Sequence, residues 1–530
     1  MSHAALASHV HADTLPAFQV CEQARRTRDA RFDGLFFTAV LSTRIYCRPV
    51  CPAVTAKRVV YFRHAAAAEA AGYRPCLRCR PELSPDDGSW RRGDAAIARA
   101  LKLIDDGALS EQPLAALAQR VGIGERQLRR LFVERVGVAP IGVHGTRRLL
   151  FAKQLLTETD LPITQIALAS GFASLRRFND AFRTAYRMAP RDLRKGRSEA
   201  AEGGDVLTLR LGYRPPYDFA AMLDFLRGRA LPGVEVVDDH SYARVIGPIE
   251  RPGWLRVSHW HDGAHGREHA LKLELHGTPP ARLLEIVQRL RRMFDLDADP
   301  QAIADTLSTD ARLKPLLAQR PGLRLPSGWD GFEIAVRAII GQQVSVAAAR
   351  TLASRLARKY GQALPQPFLD ARVSDGLAHL FPTPDALVDA DLESIGLIRS
   401  RAQTVRGVAR ALLEGRVDFR RERTLEDFVS RWVALPGIGP WTAQYIALRS
   451  LGHPDAFPVE DLVLQKALPA DGSRMGAKAL AARAEAWRPW RGYAVIHLWR
   501  DSMPPAAVRA DAPVRGKRRA VRAAGAEATA

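Results

Sequence analysis

The sequence predicts a multidomain protein of the α+β class, and three observations support this prediction. All five cysteines lie within the first 80 residues. A helical segment at 114–132 is repeated at 163–182. Alternating apolar residues typical of strands then fill 205–300, and a long helical stretch follows. We therefore place the domains at 15–85, 93–195, 205–305 and 306–503, followed by a basic disordered tail at 504–530.

The charge balance predicts the kind of partner. The 530 residues carry a formal net charge of +21, and a protein this basic favours nucleic acid. An arginine-rich genome would give the same composition, so charge alone leaves these two interpretations equal. No run of about 18 apolar residues is present, and the N-terminal residues lack the basic start and apolar core of a signal peptide. We expect a cytoplasmic, nucleoid-associated protein without a membrane partner.

Four of the cysteines form two short-spaced pairs. Three residues separate Cys47 from Cys51, two separate Cys76 from Cys79, and 24 residues lie between the pairs. Such pairs supply the ligands of a tetrahedral zinc site, because each pair spans one edge of the metal. Four unrelated buried thiols fit this spacing poorly. The spacing alone favours a structural zinc over a reactive one.

The residues around these pairs resemble a known family. FDGLFFTAVLSTRIYCRPVCP and AAGYRPCLRCRPE are similar, over about 70 residues, to the N-terminal domain of the adaptive-response protein Ada. The resemblance implies that Cys47 is both a zinc ligand and the acceptor of a methyl group from a methylphosphotriester in DNA. A zinc-bound thiolate suits this chemistry, since it is deprotonated at neutral pH and still nucleophilic. Thr43 and Arg74 match family positions near the DNA phosphate.

One position departs from that family. Val54 stands three residues after the second cysteine, where the family usually has a basic residue, and this bears on the DNA affinity of the domain. Lys57 and Arg58 are candidate replacements. Cys21 matches no ligand position, so we interpret it as an ordinary apolar residue.

The repeated segment has the apolar spacing of a helix-turn-helix, with Gly122 and Gly171 at the turns. Two copies, the second ending in FRTAYRMAPRDLR, resemble the AraC-type transcription regulator domain. The resemblance implies an all-α domain with two recognition helices. The arginine and asparagine side chains of these helices suit base edges and phosphates. The candidates are Glu125, Arg126, Gln127, Arg129, Arg130, Ser174, Arg176, Arg177 and Asn179. An amphipathic bundle with a charged face is the alternative.

A second DNA-binding pattern lies near the C-terminus. LPGIGPWTAQYIAL indicates a helix end, a tight turn at Gly437 and Gly439, and a new helix, and such a turn can direct N–H groups at a phosphate. A lone Gly-x-Gly is weak evidence. Asp461 follows Gly439 by 22 residues, and this pairing resembles the helix-hairpin-helix glycosylase superfamily. A glycine-rich connection with a surface acid is the alternative, and a monovalent cation at the hairpin is an open expectation.

The match narrows to the 3-methyladenine DNA glycosylase II (AlkA-like) family. LRLGYRPPYDFAAMLDFL resembles the start of its α+β, TBP-like N-terminal domain, FEIAVRAIIGQQVSVAAAR resembles its intercalating wedge, and RPWRGYAVIHLW resembles its end. The resemblance covers about 205–500. It implies an all-α helix-hairpin-helix glycosylase domain that flips a damaged base out of the duplex before excising it.

The same resemblance assigns roles in flipping and binding. Gln342 and Gln343 lie where the wedge fills the gap left in the duplex, and Gln343 is polar where the best-known member has leucine. Trp441, Tyr445 and Trp499 match the pocket aromatics. An alkylated purine carries positive charge, and electron-rich rings attract it by stacking and cation–π contact.

Asp461 matches the catalytic carboxylate, which would stabilise oxocarbenium character at the sugar and assist a water. Glu460 is adjacent, but consecutive side chains do not share a direction. Strand-cleaving members have a lysine two residues after the second hairpin glycine, where this chain has Trp441. We therefore expect a monofunctional hydrolase without a Schiff-base lyase step.

Three functions compete. The first is a methyl-accepting zinc sensor and transcription regulator joined to a glycosylase of alkylated purines, with one Zn²⁺, double-stranded DNA as partner, and RNA polymerase as an open further partner. The second is a transcription regulator whose glycosylase-like half only binds DNA. The third is a zinc-dependent RNA-binding protein, which the hairpin and Asp461 argue against. We favour the first.

Overall fold

The computed structural model of the chain describes residues 15–53, 58–85, 95–105, 107–195, 206–260, 269–365, 376–419, 424–469 and 473–502. Val54 and Lys57, which the sequence singles out, lie outside these residues, and so does the predicted tail at 504–530. Within the described ranges, no helix is both long enough and apolar enough to cross a membrane.

A small sheet between two helices forms the cysteine-containing unit. Its elements are α1 (Phe18–Thr27), β1 (Phe37–Val40), β2 (Ile45–Cys47), β3 (Val59–Phe62), α2 (Ala65–Ala70) and β4 (Arg74–Pro75). The strand order is β3-β1-β2-β4, and only β2 and β4 pair in parallel. All four residues of the central strand β1 are buried. Strand β2 ends at Cys47, so the first predicted metal ligand lies where the sheet stops.

Eight helices follow, with two helix-turn-helix pairs among them. They are α3 (Ala95–Asp105), α4 (Ala108–Glu111), α5 (Leu114–Val121), α6 (Glu125–Arg135), α7 (Pro140–Glu158), α8 (Ile163–Ala169), α9 (Leu175–Tyr186) and α10 (Pro190–Lys195). Gly122 and Gly171 have φ of +90° and +76°, which glycine adopts without a Cβ penalty, so each turn requires its glycine. The repeated sequence therefore folds as the repeated α5–α6 and α8–α9 pairs, joined by α7.

A five-stranded antiparallel sheet with two main helices comes next. Its elements are β5 (Val206–Gly212), α11 (Phe219–Arg227), β6 (Glu235–Val237), β7 (Ser241–Ile246), β8 (Gly253–His259), β9 (Ala270–His276) and α12 (Leu283–Met293). The strand order is β5-β9-β8-β7-β6. The first strand, β5, thus pairs with the last, β9, from Val206 opposite His276 to Gly212 opposite Ala270.

The sheet and the second helix-turn-helix pair share one apolar core. Leu155 of α7 and Phe178 of α9 are fully buried in the same cluster as Leu209, Leu273 and Leu290. Burying this apolar surface on both sides stabilises the contact between the two units. The helix-turn-helix region is therefore packed on the sheet rather than tethered to it.

Buried ion pairs reinforce this contact and extend it to the cysteine-containing unit. Lys153 of α7 pairs with Glu82, and both side chains are 1% exposed. Arg80 pairs with Glu158 at 2.7 Å, and Glu158 also accepts from Arg210 of β5 at 3.2 Å. Buried charges are stable only when paired in this way.

The remaining described residues form a helical domain with a two-stranded antiparallel sheet. Its elements are α13 (Pro300–Leu307), α14 (Leu313–Gln319), α15 (Gly331–Ile340), α16 (Val346–Tyr360), β10 (Gln362–Ala363), β11 (His379–Leu380), α17 (Pro384–Leu387), α18 (Arg399–Leu413), α19 (Leu425–Val433), α20 (Pro440–Ser450), α21 (Leu462–Ala467), α22 (Ala477–Ala484) and α23 (Arg491–Asp501). Its core contains the fully buried Trp432 and Trp487. Helices α19 and α20 flank the predicted glycine turn.

Candidate functional site

The four predicted zinc ligands converge on one point. Cys47, Cys51, Cys76 and Cys79 are buried, and their Sγ atoms all lie within 4.8 Å of one another. Four zinc–sulfur bonds of about 2.3 Å in a tetrahedron place the sulfur atoms about 3.8 Å apart. The donor set and its spacing therefore fit a structural or reactive Zn²⁺. Cys21 is buried elsewhere, and its thiol donates to the Pro16 carbonyl at 3.4 Å.

Backbone N–H groups distinguish Cys47 from the other three cysteines. The donors and acceptors are Arg48 N to Cys79 Sγ (3.3 Å), Arg78 N to Cys76 Sγ (3.4 Å) and Ala53 N to Cys51 Sγ. In the part of the chain that the structure describes, no N–H group donates to Cys47 Sγ. A hydrogen bond to a thiolate stabilises its charge, so among the described residues Cys47 Sγ differs from the other three sulfur atoms in receiving no such bond from a backbone N–H group.

Thr43 and Arg74 lie beside the strand that carries Cys47. Thr43 is exposed in the turn before β2, while Arg74 starts β4 opposite Ile45. Cys47 itself is only 3% exposed. The two predicted phosphate contacts therefore lie just before β2 and on the neighbouring strand β4, while Cys47 ends β2.

The candidate recognition helices present their basic residues to solvent. Arg129 of α6 is exposed and pairs with Glu125 at 2.8 Å. Arg176 and Arg177 are exposed at the start of α9, where Ser174 caps the helix by accepting from Arg177 N. Surface ion pairs such as Arg129–Glu125 are worth little, so this arginine can exchange its partner for a phosphate.

Asp461 is held by hydrogen bonds from the backbone and from two indoles. It caps α21, where Oδ1 accepts from Val463 N at 2.9 Å and Leu464 N at 3.1 Å. Trp441 Nε1 donates to Oδ2 at 3.1 Å, and Trp499 Nε1 donates to Oδ1 at 3.3 Å. Asp461 is 8% exposed. Four N–H donors thus fix the position of its carboxylate.

The predicted aromatic residues and Asp461 line one cavity of about 400 Å³. The Trp441 and Tyr445 rings are stacked, with centroids 5.2 Å apart and planes at 18°. Trp499 lies 6.1 Å from Tyr445. The neighbouring Glu460 points to solvent and is exposed. The cavity therefore offers flat aromatic walls for a planar base beside a fixed carboxylate.

Arginines form another part of the cavity wall. Arg229, Arg337 and Arg449 line the cavity near Tyr445, and Arg449 Nη1 donates to the Tyr445 hydroxyl at 3.0 Å. Burial lowers the pKa of Arg449 to about 10. Burial also opposes ionisation of Tyr445, but Arg449, Arg229 and Arg337 outweigh it and lower the pKa of the phenol from its usual value.

The predicted wedge and hairpin contact each other. The Gln342 side-chain amide donates to the Gly437 carbonyl at 3.1 Å and to Thr442 Oγ1 at 3.0 Å, while Gln343 is exposed with φ of +55°. Gly437 has φ of +84°, and a Cβ there would meet Thr404 Oγ1 at 2.0 Å. Gly439 caps α20. Gln342 therefore braces the hairpin, and Gln343 is the exposed member of the pair.

Four family models match consecutive parts of the chain. The metal binding domain of Ada matches 20–82, a helix-turn-helix domain matches 117–196, the AlkA N-terminal domain matches 208–330, and the HhH-GPD superfamily of base excision DNA repair proteins matches 336–492.

A relative that aligns with nearly the whole chain shows which family it belongs to. The probable bifunctional transcriptional activator/DNA repair enzyme AlkA of Mycobacterium tuberculosis is 38% identical over 498 residues, which cover 91% of this chain and 96% of that protein. The chain belongs to this bifunctional Ada/AlkA family. The DNA-3-methyladenine glycosylase 2 of Escherichia coli is 36% identical over 54% of this chain and 95% of its own length. The Ada protein of Escherichia coli is 33% identical over 36% of this chain and 50% of its own length.

In this Ada/AlkA-family chain, the structure brings together the four predicted zinc ligands and, separately, Asp461 with the three pocket aromatics. It also places Arg229, Arg337 and Arg449 at the same cavity, and the sequence analysis does not include them. Arg229 comes from the sheet domain, so no spacing within the helical domain could have identified it. Arg449 follows Tyr445 by one helical turn, and that spacing is the one signal available in the sequence.

Proposed function

We propose that the chain is a monofunctional DNA glycosylase for alkylated purines, fused to a methyl-accepting zinc domain and a transcription regulator. The main support for glycosylase activity is the Asp461 carboxylate, which four N–H donors hold in the wall of an aromatic cavity. Fixed charge at the site of a developing cation is an efficient form of catalysis, because no reorganisation is needed.

The proposed reaction begins with base flipping. A flipped purine enters between the Trp441–Tyr445 stack and Trp499, which attract its positive charge. The wedge residue Gln343, exposed next to the hairpin, fills the space left in the duplex. The sugar then faces Asp461, whose negative charge stabilises the oxocarbenium character at C1′ while a water attacks. The lyase lysine position holds Trp441, so the strand is left intact.

Release of 3-methyladenine from methylated DNA tests this proposal. Asp461→Asn keeps the size of the side chain and should lower base release by about 1000-fold with near-normal DNA binding, since the charge acts in the transition state. Glu460→Gln, one residue away and exposed, is the matched control and should retain activity. A wild-type protein that binds DNA and releases no base would favour a regulator whose second half only binds DNA.

The zinc domain is proposed to repair methylphosphotriesters. Cys47, Cys51, Cys76 and Cys79 would hold Zn²⁺, which keeps the thiolates deprotonated and nucleophilic at neutral pH. Cys47 Sγ attacks the methyl carbon of the triester, the carbon–oxygen bond breaks, and the phosphodiester leaves as an anion. Arg74, opposite Ile45 on the neighbouring strand, and the exposed Thr43 are proposed to hold the phosphate group.

Mass spectrometry tests this transfer directly. One methyl group should appear on a peptide containing Cys47 after incubation with methylphosphotriester DNA, once per molecule. Cys21→Ala, which changes a buried thiol outside the cluster, should still react. Methylation of any other cysteine would show that Cys47 is not the acceptor.

The helix-turn-helix pairs are proposed to bind double-stranded promoter DNA through Arg129, Arg176 and Arg177, with RNA polymerase as the partner in activation. A monovalent cation at the Gly437–Gly439 hairpin remains part of the proposal. Affinity for duplex DNA measured with potassium and with a bulky organic cation at equal ionic strength tests the cation. Loss of affinity in the arginine variants tests the helices.

A further inference from the structure

The Tyr445 hydroxyl occupies an unusual position in the cavity. Its ring is stacked on Trp441, its oxygen accepts from Arg449 Nη1 at 3.0 Å, and the positive charge of Arg229 also lowers the pKa of the phenol. The two guanidinium groups come from different domains, since Arg449 lies on α20 and Arg229 follows α11. All three residues line the cavity proposed to hold the flipped base.

Both guanidinium groups are held in place. Arg449 Nε donates to the Pro326 carbonyl at 2.7 Å, and its guanidinium lies 4.5 Å from the Phe225 ring. Arg229 lies 3.7 Å from the same ring, and its Nη1 donates to the Phe225 carbonyl at 3.3 Å. These contacts stop the two charges from moving away from Tyr445.

This arrangement determines where the phenolic proton points. Guanidinium groups donate and cannot accept hydrogen bonds, so Arg449 occupies a lone pair of the Tyr445 oxygen and cannot take its proton. Among the described residues, no protein atom accepts a hydrogen bond from Tyr445. The proton is therefore available to a ligand in the cavity.

We propose that the Tyr445 hydroxyl is a catalytic acid that donates to an acceptor nitrogen of the flipped purine as the glycosidic bond breaks. This inference rests on the proposed glycosylase function. Tyr445 would act on the departing base, whereas Asp461 acts on the sugar. Proton donation to a leaving group lowers the barrier most when that group would otherwise depart as an anion.

The C1′–N9 bond breaks, and its electron pair moves into the purine ring. The Tyr445 proton passes to N7 or N3 of the ring, so the base leaves neutral and the phenolate stays beside Arg449 and Arg229. Water adds to C1′, and the proton that it loses returns through Asp461 and solvent to the phenolate. Water is the only reactant consumed.

The charge of the purine decides how much this acid matters. A purine alkylated at N3 or N7 is already cationic and leaves as a neutral molecule without protonation. An uncharged purine such as hypoxanthine needs a proton. Tyr445 therefore extends excision towards uncharged purines, for which aromatic stacking alone gives little activation.

The electrostatics of the site support this role. The charged groups around the phenol are Arg449, Arg229 and Arg337, with Asp461 at another part of the cavity wall. Together the arginines lower the pKa of Tyr445 although its burial acts in the opposite direction. A lowered pKa makes the phenol a stronger acid while leaving it protonated at neutral pH.

Single-turnover base release from two otherwise identical duplexes, one with 7-methylguanine and one with hypoxanthine, tests the proposal in the full-length protein. Tyr445→Phe keeps the ring and removes the proton, so the ratio of the hypoxanthine rate to the 7-methylguanine rate should fall by about 100-fold. Trp441→Phe changes the stack without changing the hydroxyl and should lower both rates by similar factors. Arg229→Gln, which removes one of the positive charges that lower the pKa of the phenol, should lower the ratio by a smaller factor than Tyr445→Phe.

The pH profile gives a second measurement. In the wild type, the hypoxanthine rate should fall as pH rises through the lowered pKa of Tyr445, and this fall should be absent in Tyr445→Phe. Equal losses on both bases in Tyr445→Phe would overturn the acid role. Release of 7-methylguanine with no release of hypoxanthine by the wild type would also overturn it, while leaving the proposed glycosylase intact. Release of neither base would instead refute the proposed function itself.

Discussion

The zinc site and the aromatic cavity next to Asp461 differ in how their residues are brought together. The zinc centre takes four identical side chains from one small sheet and its turns, within the stretch from Cys47 to Cys79. The aromatic cavity is lined by chemically different side chains from two domains, and these residues are spread along the chain from Arg229 to Ser502. The first therefore depends on a local pattern and a metal, while the second depends on how a sheet and a helical domain pack.

This difference separates what each site needs in order to form. The core that positions Asp461 and the pocket aromatics begins at Leu231 and contains no residue of the cysteine-containing unit. The zinc unit contributes buried ion pairs to the interface with α7, but no side chain to the cavity. Loss of one site should therefore leave the other largely functional.

Removal of zinc should have the largest effect. Structural zinc contributes about 10–16 kcal/mol to folding of small metal-dependent units, so Cys51→Ser should unfold 15–85 and abolish methyl transfer. Base release should stay within about threefold of wild type, because the cavity lies in a separate core. Hydrogen exchange of β1–β3 and the single-turnover excision rate are the two measurements. A parallel collapse of excision would contradict the independence of the two sites.

The interface between the cysteine-containing unit and α7 should be the next most sensitive point. Lys153→Met leaves Glu82 buried with only Arg80 as a charged partner, and breaking a buried pair costs about 3–5 kcal/mol. Urea unfolding of the first half should shift accordingly. Lys359→Met, at an exposed site, is the control and should change stability little. A shift no larger than that of the control would mean that the cysteine-containing unit and α7 are not coupled through this pair.

The same pair predicts a pH dependence. Burial would raise the pKa of Glu82, but Lys153 and Arg80 outweigh it and lower the pKa below its usual value. The folded-state pKa is thus below the unfolded one. The pair therefore stabilises the protein above about pH 4.3, and this contribution is lost as pH falls through the lowered value. Lys153→Met should flatten that part of the stability profile.

The hydrogen bond between Trp499 and Asp461 should contribute measurably to catalysis. Trp499→Phe keeps an aromatic wall and removes the N–H that donates to Asp461 Oδ1 at 3.3 Å. A hydrogen bond to a charged group is worth about 1.5–3 kcal/mol, so base release should fall by about 10- to 100-fold with little change in substrate affinity. Single-turnover rates at saturating protein measure this. A change in affinity alone would mean that Trp499 only stacks on the base.

The two sites also differ in how far the sequence predicts them. The zinc ligands follow from spacing, because thiolates of two short pairs can reach one ion in few ways. Asp461 and the aromatics follow from a family resemblance, but the indole N–H donors of Trp441 and Trp499 to that carboxylate do not. The bracing of the hairpin by Gln342 is equally absent from the sequence pattern. Such contacts depend on the packing of helices distant in sequence.

The sequence also does not predict that the second helix-turn-helix pair packs on the sheet. The apolar face of α9 predicts burial, but periodicity does not say against what. Phe178 and Phe182 lie in the same cluster as Leu209 and Leu273 of the sheet. The sequence predicts a domain boundary between 195 and 205, yet apolar residues on either side of that boundary pack in one core.

The smallest expected effect is a change in DNA affinity on methylation of Cys47. Four thiolates around Zn²⁺ carry a formal charge of −2, and conversion of one thiolate to a thioether leaves −1. Because the cluster lies close to the backbone during transfer, repulsion from phosphates falls. One unit charge a few ångströms from another is worth about 1–4 kcal/mol before screening.

This change should raise the affinity for duplex DNA by about tenfold, since every 1.4 kcal/mol is one power of ten. The dissociation constant before and after reaction with methylphosphotriester DNA, at fixed salt, is the measurement. Cys21→Ala should respond like the wild type, because its thiol lies outside the cluster. The gain should shrink as salt rises, since screening weakens the repulsion that methylation removes. Unchanged affinity with demonstrably methylated Cys47 would make the zinc domain a repair module without a regulatory switch.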